Sequence, residues 1–176
     1  MRSKFIFVLA LAAFLSAGCA TQNYYKSVNP ASEVYFADLN GDGMRLAVEI
    51  EKKTAAEDSF LVTVRRNNKA GEAIDSCTVS GRFKKAEFAE LNMNGREWMV
   101  LHYGTGEGLF NIGVYQLSNN SLSKIFYSSS EYGIETALDS ALGRIRIGKV
   151  LQNTGSPNLV PKWESWVWAG DQFVRE

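Results

Sequence analysis

The chain has 176 residues with 19 Lys and Arg against 19 Asp and Glu, so its formal net charge is zero and no basic surplus draws it to nucleic acid. That length, with 45% hydrophobic residues, suits one domain with a sizeable core rather than several domains. One histidine and two cysteines form no Ser/His or Cys/His arrangement of recognisable catalytic spacing, which points away from an enzyme.

The first twenty residues, "MRSKFIFVLALAAFLSAGCA", place Arg2 and Lys4 ahead of an apolar run from Phe5 to Leu15 and end in small residues before Cys19. This is the pattern of a secretion signal. An apolar run of about eleven residues falls well short of the roughly twenty needed to cross a bilayer as a helix. "LSAGC" resembles the bacterial lipoprotein lipobox, with Ser16 standing where that family usually has Leu. The resemblance implies that residues 1–18 are removed and that Cys19 becomes the lipidated first residue. The mature chain then carries 19 − 2 = 17 basic and 19 acidic side chains, a net charge of −2. Cys77, in "IDSCTVSG", is left without a disulfide partner and reads as a small buried hydrophobe.

Residues 19–32, including "TQNYYKSVNP", are polar, lack periodicity and contain Pro30, and they read as a tether. From Glu33 onward, short runs rich in Val, Ile, Tyr, Phe and Trp alternate with Asn, Gly and Ser clusters, the pattern of antiparallel strands. "LAVEIE", "FLVTVRR", "WMVLHY", "FNIGVYQL", "IRIGKVL" and "WVWAGDQFV" are the clearest. In the first, Leu46, Val48 and Ile50 face one way, and Glu49 and Glu51 the other.

"FADLNGDG" at residues 36–43 recurs as "FAELNMNG" at residues 88–95, an offset of 88 − 36 = 52 with five of eight positions identical. Each copy leads into a strand. A weaker third copy lies in "TALDSALGRIRIGKV", where Gly143 follows Gly95 by 48 residues. There Ile134, Leu138, Ala141 and Leu142 also fall at helical spacing, so a strand pair and a short amphipathic helix both remain open.

Period and loop resemble the FG-GAP and VCBS families, whose repeats carry an Asp-x-Asn/Asp-x-Asp-Gly turn between two strands. The resemblance implies an all-β fold: antiparallel blade-like β-meander repeats forming a partial or open propeller, with a β-sandwich as the alternative. Residues 33–176 would be one domain of two or three repeats of about 50 residues, too few for the four to eight blades of a closed ring. It also implies a Ca2+ site in the first loop, built from Asp38, Asn40, Asp42 and the carbonyl of Met44. The same letters satisfy an EF-hand with Glu49 in its twelfth position. A strand leaving the loop excludes that, because seven residues at roughly 3.3 Å each carry Glu49 about 23 Å away from Asp42. The other possibility is a turn held by Asp and Asn side chains without an ion.

His102, inside "WMVLHYG", reads as a satisfied strand histidine, and "GTGEG" at residues 104–108 as a hairpin connection. Trp166 and Trp168 share one strand face and are either core or a platform for sugar rings. Function is therefore expected to be that of a cell-envelope lipoprotein, held to the membrane through Cys19 and acting as a non-catalytic binding or assembly module for an envelope protein or glycan. Ala20 after the lipidated cysteine implies the outer membrane, facing the periplasm, in a Gram-negative cell. The alternative is a carbohydrate-directed binding protein or a glycan-acting enzyme using Trp166 and Trp168 as an aromatic platform.

Overall fold

The computed structural model describes residues 32–53, 58–106, 108–150 and 161–176. Cys19, the apolar run before it and nearly all of the expected tether lie outside them. The described residues hold twelve strands and no helix, in three four-stranded antiparallel sheets. Each sheet is a meander in chain order. The first contains β1 (Ser32–Ala37), β2 (Leu46–Lys52), β3 (Ser59–Arg65) and β4 (Ala73–Ser80). The second contains β5 (Arg82–Glu90), β6 (Glu97–Gly104), β7 (Phe110–Ser118) and β8 (Ser121–Ser130). The third contains β9 (Ile134–Asp139), β10 (Arg144–Val150), β11 (Pro161–Trp168) and β12 (Phe173–Arg175).

Strand alternation explains how the sheets stack. Leu46, Val48 and Ile50 of the first sheet meet Met99, Leu101 and Tyr103 of the second in one apolar cluster. The residues between those, Trp98 and Val100, turn to the other side and meet Ile145, Ile147 and Phe173 of the third sheet in another. The middle sheet is thus covered on both faces, and every residue of β6 from Trp98 to Tyr103 is buried. The outer sheets share no core cluster with each other, so the arrangement is an open row of blade-like meanders, not a closed barrel.

The third copy of the repeat is a strand pair. Residues 134–139 form β9, and the helical spacing of Ile134, Leu138 and Leu142 is incidental, because β10 offers β9 a full antiparallel partner. The first described strand opens at Ser32.

Candidate functional site

The turn joining the first two strands of each sheet is built the same way. Asp38 directly follows β1, and its carboxylate accepts the N–H groups of Gly41 and Gly43, each at 2.8 Å. Glu90 ends β5 and accepts the Gly95 N–H at 2.6 Å. Asp139 ends β9 and accepts the Leu142 N–H at 3.2 Å. Asp42 and Asn94 accept the N–H two residues further on, at Met44 and Arg96. The first two copies therefore share, at the 52-residue offset, the carboxylate bond to the closing glycine and the bond two residues on, while the Gly41 and Asn40 bonds belong to the first copy alone. In the third, the residue matching Asp38 is Asp139, not Leu138, because the connection shortens from six residues (91–96) to four (140–143).

These turns also touch one another along one edge of the row. Glu97 clasps Asp38 with two bonds: its N–H donates to the Asp38 carbonyl at 2.9 Å, and its carboxylate accepts the Asp38 N–H at 2.6 Å. A side chain at Gly143 would lie 3.1 Å from the Leu91 carbonyl, so the close approach of the two turns favours glycine there, as does its φ of +58°.

Asp38, Asn40 and Asp42 all belong to one exposed curl, with the Asn40 amide 2.7 Å from Asp42. The curl offers a hard cation two carboxylates and an amide, with the Met44 carbonyl close along the chain. The same carboxylates already serve the turn's backbone. Among the described residues, no group of three or more His, Cys, Asp or Glu is placed to hold a metal. Glu49 faces away on β2, bonded to Ser32 and Arg65, as the strand exit required.

A concave site lies elsewhere, between the second and third sheets at the end opposite these turns. It is a cleft of about 290 Å³ lined by Lys84, Lys85, His102, Tyr103, Phe110, Asn111 and Ile134. A β-bulge builds it. Phe83 pairs with Tyr103 and Lys85 with His102, so Lys84 is an extra residue in β5. Successive strand residues normally point to opposite faces, and the bulge removes that alternation, bringing both lysines to the cleft. The Lys84 stem lies over Gly104, whose Cβ would stand 3.7 Å from the lysine Cε. Phe110 is 41% exposed and forms an apolar wall, while His102 and Asn111 are 5% and 1% exposed. Asn111 is fixed by accepting from the Tyr127 hydroxyl at 2.6 Å.

Behind the cleft, His102 Nε2 donates to Glu87 Oε2 at 2.7 Å, and Thr136 Oγ1 of β9 donates to the same oxygen. The Lys85 ammonium is 3.1 Å from that oxygen too. These partners, His102 foremost and then Thr136 and Lys85, hold the Glu87 carboxyl at about 2 despite the opposing effect of its burial. Glu87 therefore has no proton to give near neutrality. The cluster is a polar pin tying the third sheet to the second.

No protein-family model, curated protein or solved structure matches this chain. What it can do is read from its own residues.

Trp166 and Trp168 are partly buried in an aromatic cluster. The Trp168 ring stands edge-on to Trp98, with centroids 4.6 Å apart, and Trp166 edge-on to Phe126 at 5.2 Å. The Trp166 indole N–H has no access to solvent. The exposed tryptophan is Trp163, 38% exposed, which rests on Gly148 with the Arg146 guanidinium 5.2 Å from its ring. Cys77 is a free thiol facing the second sheet, pushed up to about 11 by burial first and by Asp75 second, which keeps it protonated and inert.

Sequence reading missed the cleft, although a signal for it exists. Phe83, Ala86 and Phe88 all face the first sheet, and the odd step from 83 to 86 breaks the period of two where the bulge lies.

Proposed function

We propose that this chain is a lipid-anchored protein of the cell envelope, tethered through Cys19 and acting as a non-catalytic binding or assembly module. The observation that carries this reading is the sequence "LSAGC" behind a basic start and a short apolar run. Two or more acyl chains on one cysteine suffice for stable anchoring, at about 0.8 kcal/mol per buried methylene. Among the described residues, no helix is long and apolar enough to cross a membrane. The row of blade-like sheets with its repeated Asp-capped turns supports a scaffold of the FG-GAP and VCBS kind. In this reading calcium enters only as a stabiliser of the 38–44 loop. Ala20 supports the outer membrane, facing the periplasm, in a Gram-negative cell. The glycan reading needed Trp166 and Trp168 open to solvent, and their rings are engaged by Phe126 and Trp98.

Cys19→Ser tests the anchor. The variant should leave the membrane fraction or accumulate as an unprocessed precursor, and it should lose labelling by a palmitate analogue. Unchanged labelling would refute the lipoprotein assignment.

A further inference from the structure

The geometry points to the bulge-built cleft between the second and third sheets as a binding site for a small anion with an apolar body, its acid group on Lys84 and its body against Phe110 and Ile134. This inference names a ligand class for the binding module proposed above and rests on that reading only for its biological setting.

Charge balance around the cleft selects the sign. Lys85 is neutralised by Glu87 at 3.1 Å, and Arg82, which lines the adjoining hollow with Lys84, by Asp58 at 3.0 Å. Among the described residues Lys84 has no acidic partner, so its ammonium is the charge on this face left for a ligand. An ammonium beside low-dielectric walls favours an anionic group over a neutral one. Carboxylate and phosphate monoester share this chemistry, because lysine binds as a point charge without the bidentate geometry that would separate them.

Size and polarity of the walls select the rest. A volume of about 290 Å³ lies at the lower end of small-molecule sites and admits a body the size of one ring, not a protein segment. Phe110 is a large apolar ring left open beside the lysine, and a flat or aliphatic body resting on it would leave water. His102 and Asn111 are buried polar residues held in place by Glu87 and Tyr127, so the back wall is already ordered before any ligand arrives. The bulge is also what moves Lys84 to this face, a device that elsewhere re-aims side chains at sites.

The test titrates the full-length chain in detergent with phenylacetate and, in a second arm, phenyl phosphate, following amide shifts of Lys85, His102, Phe110 and Ile134. Saturable shifts at millimolar concentration are expected in at least one arm, and the arm with tighter binding identifies the acid group. Benzyl alcohol, of the same body but uncharged, should bind at least about fivefold more weakly, and Lys84→Gln should weaken the anion by about fivefold, the worth of one half-exposed charge contact. Phe110→Ala should weaken anion and alcohol alike. No saturable shift up to about 20 mM in either arm, equal binding of benzyl alcohol, or an unchanged affinity in Lys84→Gln overturns the inference. Cys19→Ser protein should bind as the lipidated form does, so failure of the anchor and failure of the cleft give different results.

Discussion

Glu87→Gln should destabilise the protein at neutral pH by an amount that shrinks as the pH falls. The carboxyl drops from 4.5 to about 2 in the folded chain, and the full linkage value of that shift is 2.5 × 1.36, about 3.4 kcal/mol. Its side chain remains 30% exposed, and discounting by about half for solvent screening leaves roughly 1.7 kcal/mol. Gln keeps the shape and one acceptor for His102 or Thr136 but loses the charge that strengthens both bonds. For a domain of this length the melting temperature should fall by about 5 °C at pH 7. Because the folded value lies below the unfolded one, the wild-type advantage is complete above pH 4.5, declines as the pH falls toward 2, and is gone below it. Urea unfolding of both proteins, followed by tryptophan fluorescence at pH 7, 5.5, 3.5 and 2.5, measures the difference directly. Other carboxylates, including Glu33, whose value is also lowered by Lys52 and Tyr35, affect both proteins equally and cancel. A difference that stays constant from pH 7 to 2.5 would mean that the charge of Glu87 is not what binds the two sheets, and no difference at pH 7 would mean that the pin holds nothing.

Asp38→Ala should cost about 1 to 2 kcal/mol in calcium-free buffer, since two backbone N–H groups lose their acceptor, while Glu90→Ala, with one such bond, costs less. Thermal melts in EDTA check this, and an Asp38→Ala penalty seen only with millimolar calcium would make the carboxylate an ion ligand instead of a cap. Trp168→Ala should cost about 2 to 3 kcal/mol through lost packing on Trp98 and Phe173, whereas Trp163→Ala should cost under about 1 kcal/mol. The reverse ranking in urea unfolding would refute the placement of these rings.

The runs that stand out in the sequence correspond to particular positions in the sheets. "LAVEIE", "FLVTVRR", "WMVLHY", "FNIGVYQL", "IRIGKVL" and the Trp part of "WVWAGDQFV" are β2, β3, β6, β7, β10 and β11, the two inner strands of every sheet. Inner strands are flanked on both sides and carry the apolar alternation undiluted. Edge strands such as β5, "RFKKAEFAE", and β8, "SLSKIFYSSS", bear lysines and serines that blunt an open edge, and this hides them from a hydrophobic pattern. The repeat was legible because its turn needs the same carboxylate and glycine each time. Its third copy was blurred because two residues are missing from the connection, which shifts Asp139 relative to Gly143. The cleft was hidden for another reason: Lys84, Asn111 and Ile134 come from three strands, and only the stacking of two sheets brings them together.

The double covering of the middle sheet sets an order of local opening. Amide hydrogens of β6 and β7 are shielded by strands on both sides and by a packed layer above and below, so they can exchange with solvent only when the outer layers separate. Those of β1, β4, β9 and β12 need no such separation, because each is an outermost strand of an outer sheet. Native-state exchange should therefore grade outward from Val100 and Val114, with the deepest strands reporting the global unfolding free energy and the peripheral ones smaller, independent openings.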